Sequence, residues 1–153
     1  MLALSTLFFA VPAQPETGDP AFALGLNWPG LSARYFFTRQ WACELSLQAE
    51  TGVFLFGPRL LFYVYDYSTL RFYGGLEADS VFFQEEHSRG SGWAGELFAG
   101  VEWFPWQRVS VQADIGPAWI KLTDADTGLF IEDAQEWVAR LGVNLYFFRS
   151  PAP

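Results

Sequence analysis

The ten residues Trp41-Ala42-Cys43-Glu44-Leu45-Ser46-Leu47-Gln48-Ala49-Glu50 alternate without a break. Trp41, Cys43, Leu45, Leu47 and Ala49 form one set, all apolar; Ala42, Glu44, Ser46, Gln48 and Glu50 form the other, polar or small. Side chains of an extended strand point alternately to opposite faces, so the stretch reads as a strand with one apolar and one polar face. A helix would scatter both sets around its circumference.

The same alternation recurs on both sides of this stretch, broken by turn chemistry, and no segment from Ala21 onward keeps a helical period for long. Eight strands are predicted, over residues 21–28, 30–37, 41–50, 53–65, 69–83, 93–104, 108–120 and 135–148. Thr38-Arg39-Gln40, Asp66-Tyr67-Ser68 and Pro105-Trp106-Gln107 make tight turns at one end, whereas residues 84–92 and 121–133 read as long loops at the other. Pro29-Gly30 and Thr51-Gly52 are short connections at the loop end. That order predicts an all-β, eight-stranded antiparallel up-and-down barrel.

Composition narrows the class. The chain has 153 residues, 51% hydrophobic, 19% aromatic and 17% charged, with a formal net charge of −8. One domain is expected at this length. With Lys121 the sole lysine and acids in excess, a phosphate-binding surface lacks its cations, which disfavours nucleic acid as a partner. A single Cys, Cys43, excludes an internal disulfide framework, and a single His, His87, excludes His-rich metal sites. No cofactor is expected. Residues 1–13 carry no charge, hold an apolar run and end in Val11-Pro12-Ala13, the pattern of a secretory signal with a small-residue cleavage site; residues 14–20 then read as a linker.

The apolar set of the eight strands contains no charged residue, while the opposite set carries Arg34, Glu44, Glu50, Arg59, Arg71, Glu77, Asp79, Glu96, Glu102, Asp114 and Arg140. A soluble ligand carrier of lipocalin type would turn the apolar set inward; a membrane barrel turns it outward. Aromatics favour the second arrangement. Tyr35, Phe37, Trp41, Trp103 and Phe147 fall near the tight-turn end of the apolar face, and Trp28, Trp93, Trp119 and Trp137 near the loop end. Two such levels suit two membrane interfaces.

With its signal-like start, eight alternating strands, two aromatic levels and near-terminal Leu145-Tyr146-Phe147-Phe148, the chain resembles the small outer-membrane barrels of Gram-negative bacteria, the group of the outer-membrane-protein-A transmembrane domain and its opacity-type relatives. The resemblance covers about residues 21–148. It implies a transmembrane barrel in the outer membrane, contact with its lipid and lipopolysaccharide, insertion by the barrel-assembly machinery, and residues 149–153 as a periplasmic tail. It names no extracellular partner. Eight strands enclose a space that side chains just fill, so no wide pore is expected, and Arg34, Arg59, Arg71 and Arg140 are expected to pair with Glu44, Glu77, Glu96, Glu102 and Asp114 in mid-lumen.

Two loops carry weaker candidates. Some small outer-membrane barrels are lipid A acyltransferases or deacylases with His and Ser near the outer rim, which draws attention to Glu86, His87 and Ser88 as a candidate catalytic set; a solvated loop is the competing reading. Asp124 and Asp126 sit in an acidic loop that could hold Ca²⁺ but lacks the remaining ligands of a calcium loop. Gly57-Pro58 and Gly116-Pro117 interrupt two strands and predict either a bulge or a gap through which a lipid tail could enter.

Overall fold

The computed structural model describes residues 20–85, 88–124 and 130–148. Eight strands, β1 (Pro20–Trp28), β2 (Gly30–Phe36), β3 (Trp41–Glu50), β4 (Val53–Tyr67), β5 (Leu70–Glu85), β6 (Ser88–Trp106), β7 (Val109–Asp124) and β8 (Phe130–Phe148), follow one another around a closed antiparallel barrel. β8 closes on β1 through the register Phe22↔Phe147 to Trp28↔Leu141. At the lower end, Thr38 Oγ1 accepts hydrogen bonds from the Gln40 and Trp41 amides at 3.2 and 3.0 Å and so fixes the β2–β3 turn. At the upper end, Gly52 adopts φ 79° in the β3–β4 turn, a conformation that glycine enters without strain.

The register sets the barrel's dimensions. Cross-strand partners lead from Ala23 through Arg34, Glu44, Arg59, Glu77, Glu96, Ala118 and Glu136, and the β8–β1 register carries Glu136 to the level of residue 33, ten places from the start. Eight strands with that stagger tilt by about 40° to the barrel axis. Each residue then climbs about 2.5 Å along the axis.

Alternation sorts the side chains. Arg34, Glu44, Arg59, Glu77, Asp79, Glu96, Glu102, Asp114 and Arg140 are buried in the interior, whereas 29 large apolar residues among those described are exposed, nearly all on the outer wall. This is the reverse of the arrangement a soluble lipocalin-like carrier needs. Phe36, Tyr63, Tyr73, Phe104 and Tyr146 pack together as an aromatic floor near the lower end.

Residues 84–92 and 121–133 were expected as long loops, but pairing runs through much of them. β5 and β6 stay in register to Glu85↔Ser88, and β7 and β8 reach Thr123↔Phe130. Above the barrel neither face is enclosed, so the alternation that marks a strand fades in Gly90-Ser91-Gly92 while the backbone ladder persists. The wall is therefore uneven. β1 and β2 end at Trp28 and Gly30, and above Leu141 β8 continues to Phe130 with β7 as its partner among the described residues. The β5–β8 side rises roughly 20 Å above the β1–β2 tip.

Of the bulge and the local gap expected at the two Gly-Pro pairs, the structure shows the gap in the ladder. No register shift occurs at either, so neither is a bulge; the shifts lie at Tyr63/Tyr65, Trp103/Trp106 and Leu122/Thr123, with one more at Pro20/Phe22. Instead the ladder skips two places at each, opposite Ala78 and Asp79 in β5 and opposite Leu97 and Phe98 in β6. Proline offers no N–H, so the carbonyls of Ala78 and Leu97 lose their ladder donors. Both carbonyls crowd the space that a β-carbon on Gly57 or Gly116 would fill. A side chain at either glycine would strike that carbonyl. Gly116→Val is expected to cost about 2 kcal/mol in urea unfolding, whereas Gly74→Ala, whose β-carbon meets nothing closer than the Phe98 carbonyl at 3.4 Å, should leave the midpoint unchanged.

Candidate functional site in the barrel lumen

The lumen site grows from one cross-strand row. Arg34, Glu44, Arg59, Glu77 and Glu96 are successive partners on β2 to β6, so their side chains enter the interior next to one another. Arg34 meets Glu44 at 2.5 Å and Glu102 at 3.4 Å. Arg59 bridges Glu44 at 2.9 Å, Glu77 at 3.1 Å and Asp114 at 3.1 Å, with its guanidinium 4.2 Å from the centre of the Phe98 ring. Arg140 reaches across from β8 to Glu77 and, at 2.8 Å, to Glu96. Glu102, Arg34, Glu44, Arg59, Glu77, Arg140 and Glu96 thus form one continuous chain of alternating charge.

Neutral groups complete the lower half. Arg34 donates to Tyr63 Oη at 2.6 Å, Gln112 Oε1 at 2.6 Å and Tyr146 Oη at 3.1 Å. Glu102 accepts from Tyr63 at 3.1 Å, Tyr146 at 2.7 Å and Asn144 at 3.0 Å, and also from Ser110. Tyr73 donates to Asp114 at 2.9 Å. An unpaired buried charge costs several kcal/mol, and here nearly every charged group has opposite charges or hydrogen-bond donors around it.

Of the residues expected in this network, the structure brings together Arg34, Glu44, Arg59, Glu77, Glu96, Glu102, Asp114 and Arg140. Arg71 is the exception. It lies at the lower rim, where it pairs with Asp66 at 2.8 Å, donates to the Arg39 carbonyl at 2.9 Å and stacks 4.0 Å from the centre of the Tyr63 ring. Face parity put Arg71 inside, but its position one residue into β5, beside the turn, puts it below the mid-lumen. Sequence reasoning puts Ser110, Gln112 and Asn144 on the polar face without assigning them to the network, and leaves out Tyr63, Tyr73 and Tyr146. Their inward parity was the available signal, and a hydroxyl or amide on an inward position opposite a carboxylate is the refinement that finds them.

Trp28, Tyr35, Phe37, Trp41, Trp93, Trp103, Trp119, Trp137 and Phe147 all lie on the outer wall with exposed side chains. Trp93 and Trp103 on β6, and Trp137 and Phe147 on β8, are each ten residues apart. That is about 25 Å along the axis. Cys43 is half-buried on the same outer face. Glu86, His87 and Asp126 lie outside the described residues; Ser88 opens β6 and Asp124 ends β7, and their side chains lie outside the described part as well. Among the described residues, no three His, Cys, Asp or Glu side chains converge as a metal-ligand set. Comparison with protein-family models, curated proteins and solved structures finds no match for this chain.

Proposed function

We propose that the protein is an integral barrel of the bacterial outer membrane, with a structural or surface-interaction role and a lumen closed to solutes by its ion-pair network. The observation that carries this reading is the inversion of polarity. Among the described residues, nine charged side chains are buried inside and 29 large apolar ones are exposed. Soluble monomers rarely expose a contiguous apolar patch beyond a few hundred Å². A bilayer is the solvent in which such a wall is the low-energy choice, because a closed barrel also satisfies its backbone internally. The ~25 Å between the aromatic levels matches the apolar band of outer-membrane barrels. In this reading the outer wall contacts membrane lipid and lipopolysaccharide, the barrel-assembly machinery inserts the chain, and the tall β5–β8 side projects outward as the surface available to a partner.

Expression in a Gram-negative host, followed by membrane fractionation and gel migration with and without boiling, tests the reading. The protein is expected in the outer-membrane fraction, migrating as a compact form that boiling converts to a slower one, and without steady conductance in planar bilayers. Recovery as a detergent-free soluble monomer would overturn the proposal, and a large steady conductance would overturn its closed lumen.

A further inference from the structure

One sheet edge of the barrel runs on without a second neighbour. β1 and β8 pair up to Trp28↔Leu141, and above that level β8 continues to Phe130 with β7 alone beside it among the described residues. The Tyr146 amide donates to the Arg108 carbonyl at 2.7 Å, so the even-numbered residues of β8 turn their backbone groups toward β7. The odd-numbered ones turn theirs toward β1. Above Leu141 these are Ala139, Trp137, Gln135 and Asp133, all in unbroken register with β7, and each presents an N–H and a C=O where β1 has already ended. The other upper edges are shorter: β3 passes its last β2 partner, Leu47, only by Gln48, Ala49 and Glu50, and β5 passes its last β4 partner, Phe83, by Gln84 and Glu85. Because Trp137 belongs to the upper aromatic level, the free edge of β8 begins just below that level at Ala139 and climbs beyond it.

We propose that this edge of β8 takes up an extended, basic peptide segment of another protein as an added strand, antiparallel to β8 and in line above β1. The inference gives a partner class to the surface-interaction role proposed above and rests on that reading for where the partner is met. Strand addition draws its affinity from main-chain hydrogen bonds and its specificity from alternate side chains. Sheet edges that must stay free are blunted by lysine, proline or a covering segment, and Glu132 to Ala139 contains neither lysine nor proline. In a bilayer the unpaired groups of Ala139 lie at the depth where a backbone without partners is most costly, and an added strand satisfies them. Charge decides the sign of the occupant. The stretch carries Glu132, Asp133 and Glu136 with no arginine or lysine between Phe130 and Ala139. Lys121 on β7 stands opposite Asp133, but the exposed Glu136 has Ala118 as its cross-strand partner, which leaves a cation on the other side to complete the row. A second copy of this chain fits worse, since pairing two β8 edges antiparallel sets one acidic stretch against the other.

The test is fluorescence anisotropy of a labelled, end-capped octapeptide of alternating lysine and valine, added to the folded, full-length protein in zwitterionic detergent, with gel migration confirming the fold of every sample. Saturable binding of one peptide per chain is expected at concentrations below about 1 mM. The same peptide with N-methyl groups on its two central residues keeps its charge but cannot form a ladder on either edge, and should bind at least tenfold more weakly; so should an octapeptide of alternating glutamate and valine. Gln135→Pro removes one of the free N–H groups, a change that an edge strand accepts, and should also weaken binding at least tenfold. Asp66→Asn at the lower rim should leave it unchanged. Amide exchange should slow at Gln135, Trp137 and Ala139 on peptide addition, and not at Gln48, Ala49 or Glu50. Absence of saturable binding would overturn the proposal, and equal binding of the N-methylated peptide would do so without any variant of the protein, because charge alone would then account for it. Self-association through β8 without peptide uptake would overturn it in favour of a second copy. These measurements are made in detergent, so a failure of peptide binding leaves the outer-membrane reading standing, and a failure of the fractionation experiment leaves the edge result standing.

Discussion

Arg59→Leu is expected to lower barrel stability by roughly 3–5 kcal/mol, the largest effect of any single interior substitution. Arg59 is the hub of the charged chain: its guanidinium touches Glu44, Glu77 and Asp114, and the Arg59 and Glu44 side chains are both 0% exposed. Removing it leaves Glu44 with Arg34, Glu77 with Arg140 and Asp114 with only the Tyr73 hydroxyl named beside it, all buried. Leucine replaces the packing against Phe98 but none of the charge. Arg59→Lys should fall between the two, because one ammonium keeps the charge yet cannot fork to three acids on β3, β5 and β7. Asp66→Asn supplies the contrast. Its partner Arg71 sits at the rim and Asp66 itself is 64% exposed, so the pair is worth about 0–1 kcal/mol. Urea midpoints in vesicles of one fixed composition check the series. An Arg59→Leu midpoint matching that of Asp66→Asn would show a hydrated lumen whose charges are weakly coupled.

The same contrast explains which parts of this site are legible in the sequence. Period-two parity assigns a face, and parity alone puts Glu44, Glu77, Arg59 and Arg140 inside. It does not assign a height. Arg71 and Glu77 share a face of β5, yet six residues at about 2.5 Å each put one at the floor and the other in mid-barrel. Height follows from the stagger of ten, which is a property of all eight registers and is written in no single strand. Tyr63, Tyr73 and Tyr146 were hidden for a different reason. Aromatic residues in a barrel sequence draw attention to the membrane interfaces, but inward parity sends these three to the interior, where their hydroxyls hold Glu102 and Asp114. The Gly-Pro pairs were legible as anomalies only. That a side chain there would meet the opposite carbonyl depends on the partner strand, which the local sequence does not contain.

Leu97→Arg should be the most damaging change on the outer wall. Leu97 lies on β6 between Trp93 and Trp103, half-exposed, with Leu76 as its cross-strand partner on the same face. In a bilayer that position is near the middle of the apolar band, where an arginine costs about 2–4 kcal/mol. At 1.4 kcal/mol per tenfold change, the folding equilibrium constant from refolding titrations should drop by more than one order of magnitude. Ser91→Arg, on the same strand beyond Trp93, provides the internal control: it is exposed above the upper aromatic level, where the cost falls to about 0–1 kcal/mol. The comparison keeps strand, substitution and charge constant and varies only depth. Both variants should bury the same interior, since neither side chain points into the lumen, so a difference between them reports the medium outside the wall. Equal refolding of Leu97→Arg and Ser91→Arg, with detergent-free solubility improved by the first, would mean that water covers the mid-wall, and the membrane assignment would fall with it.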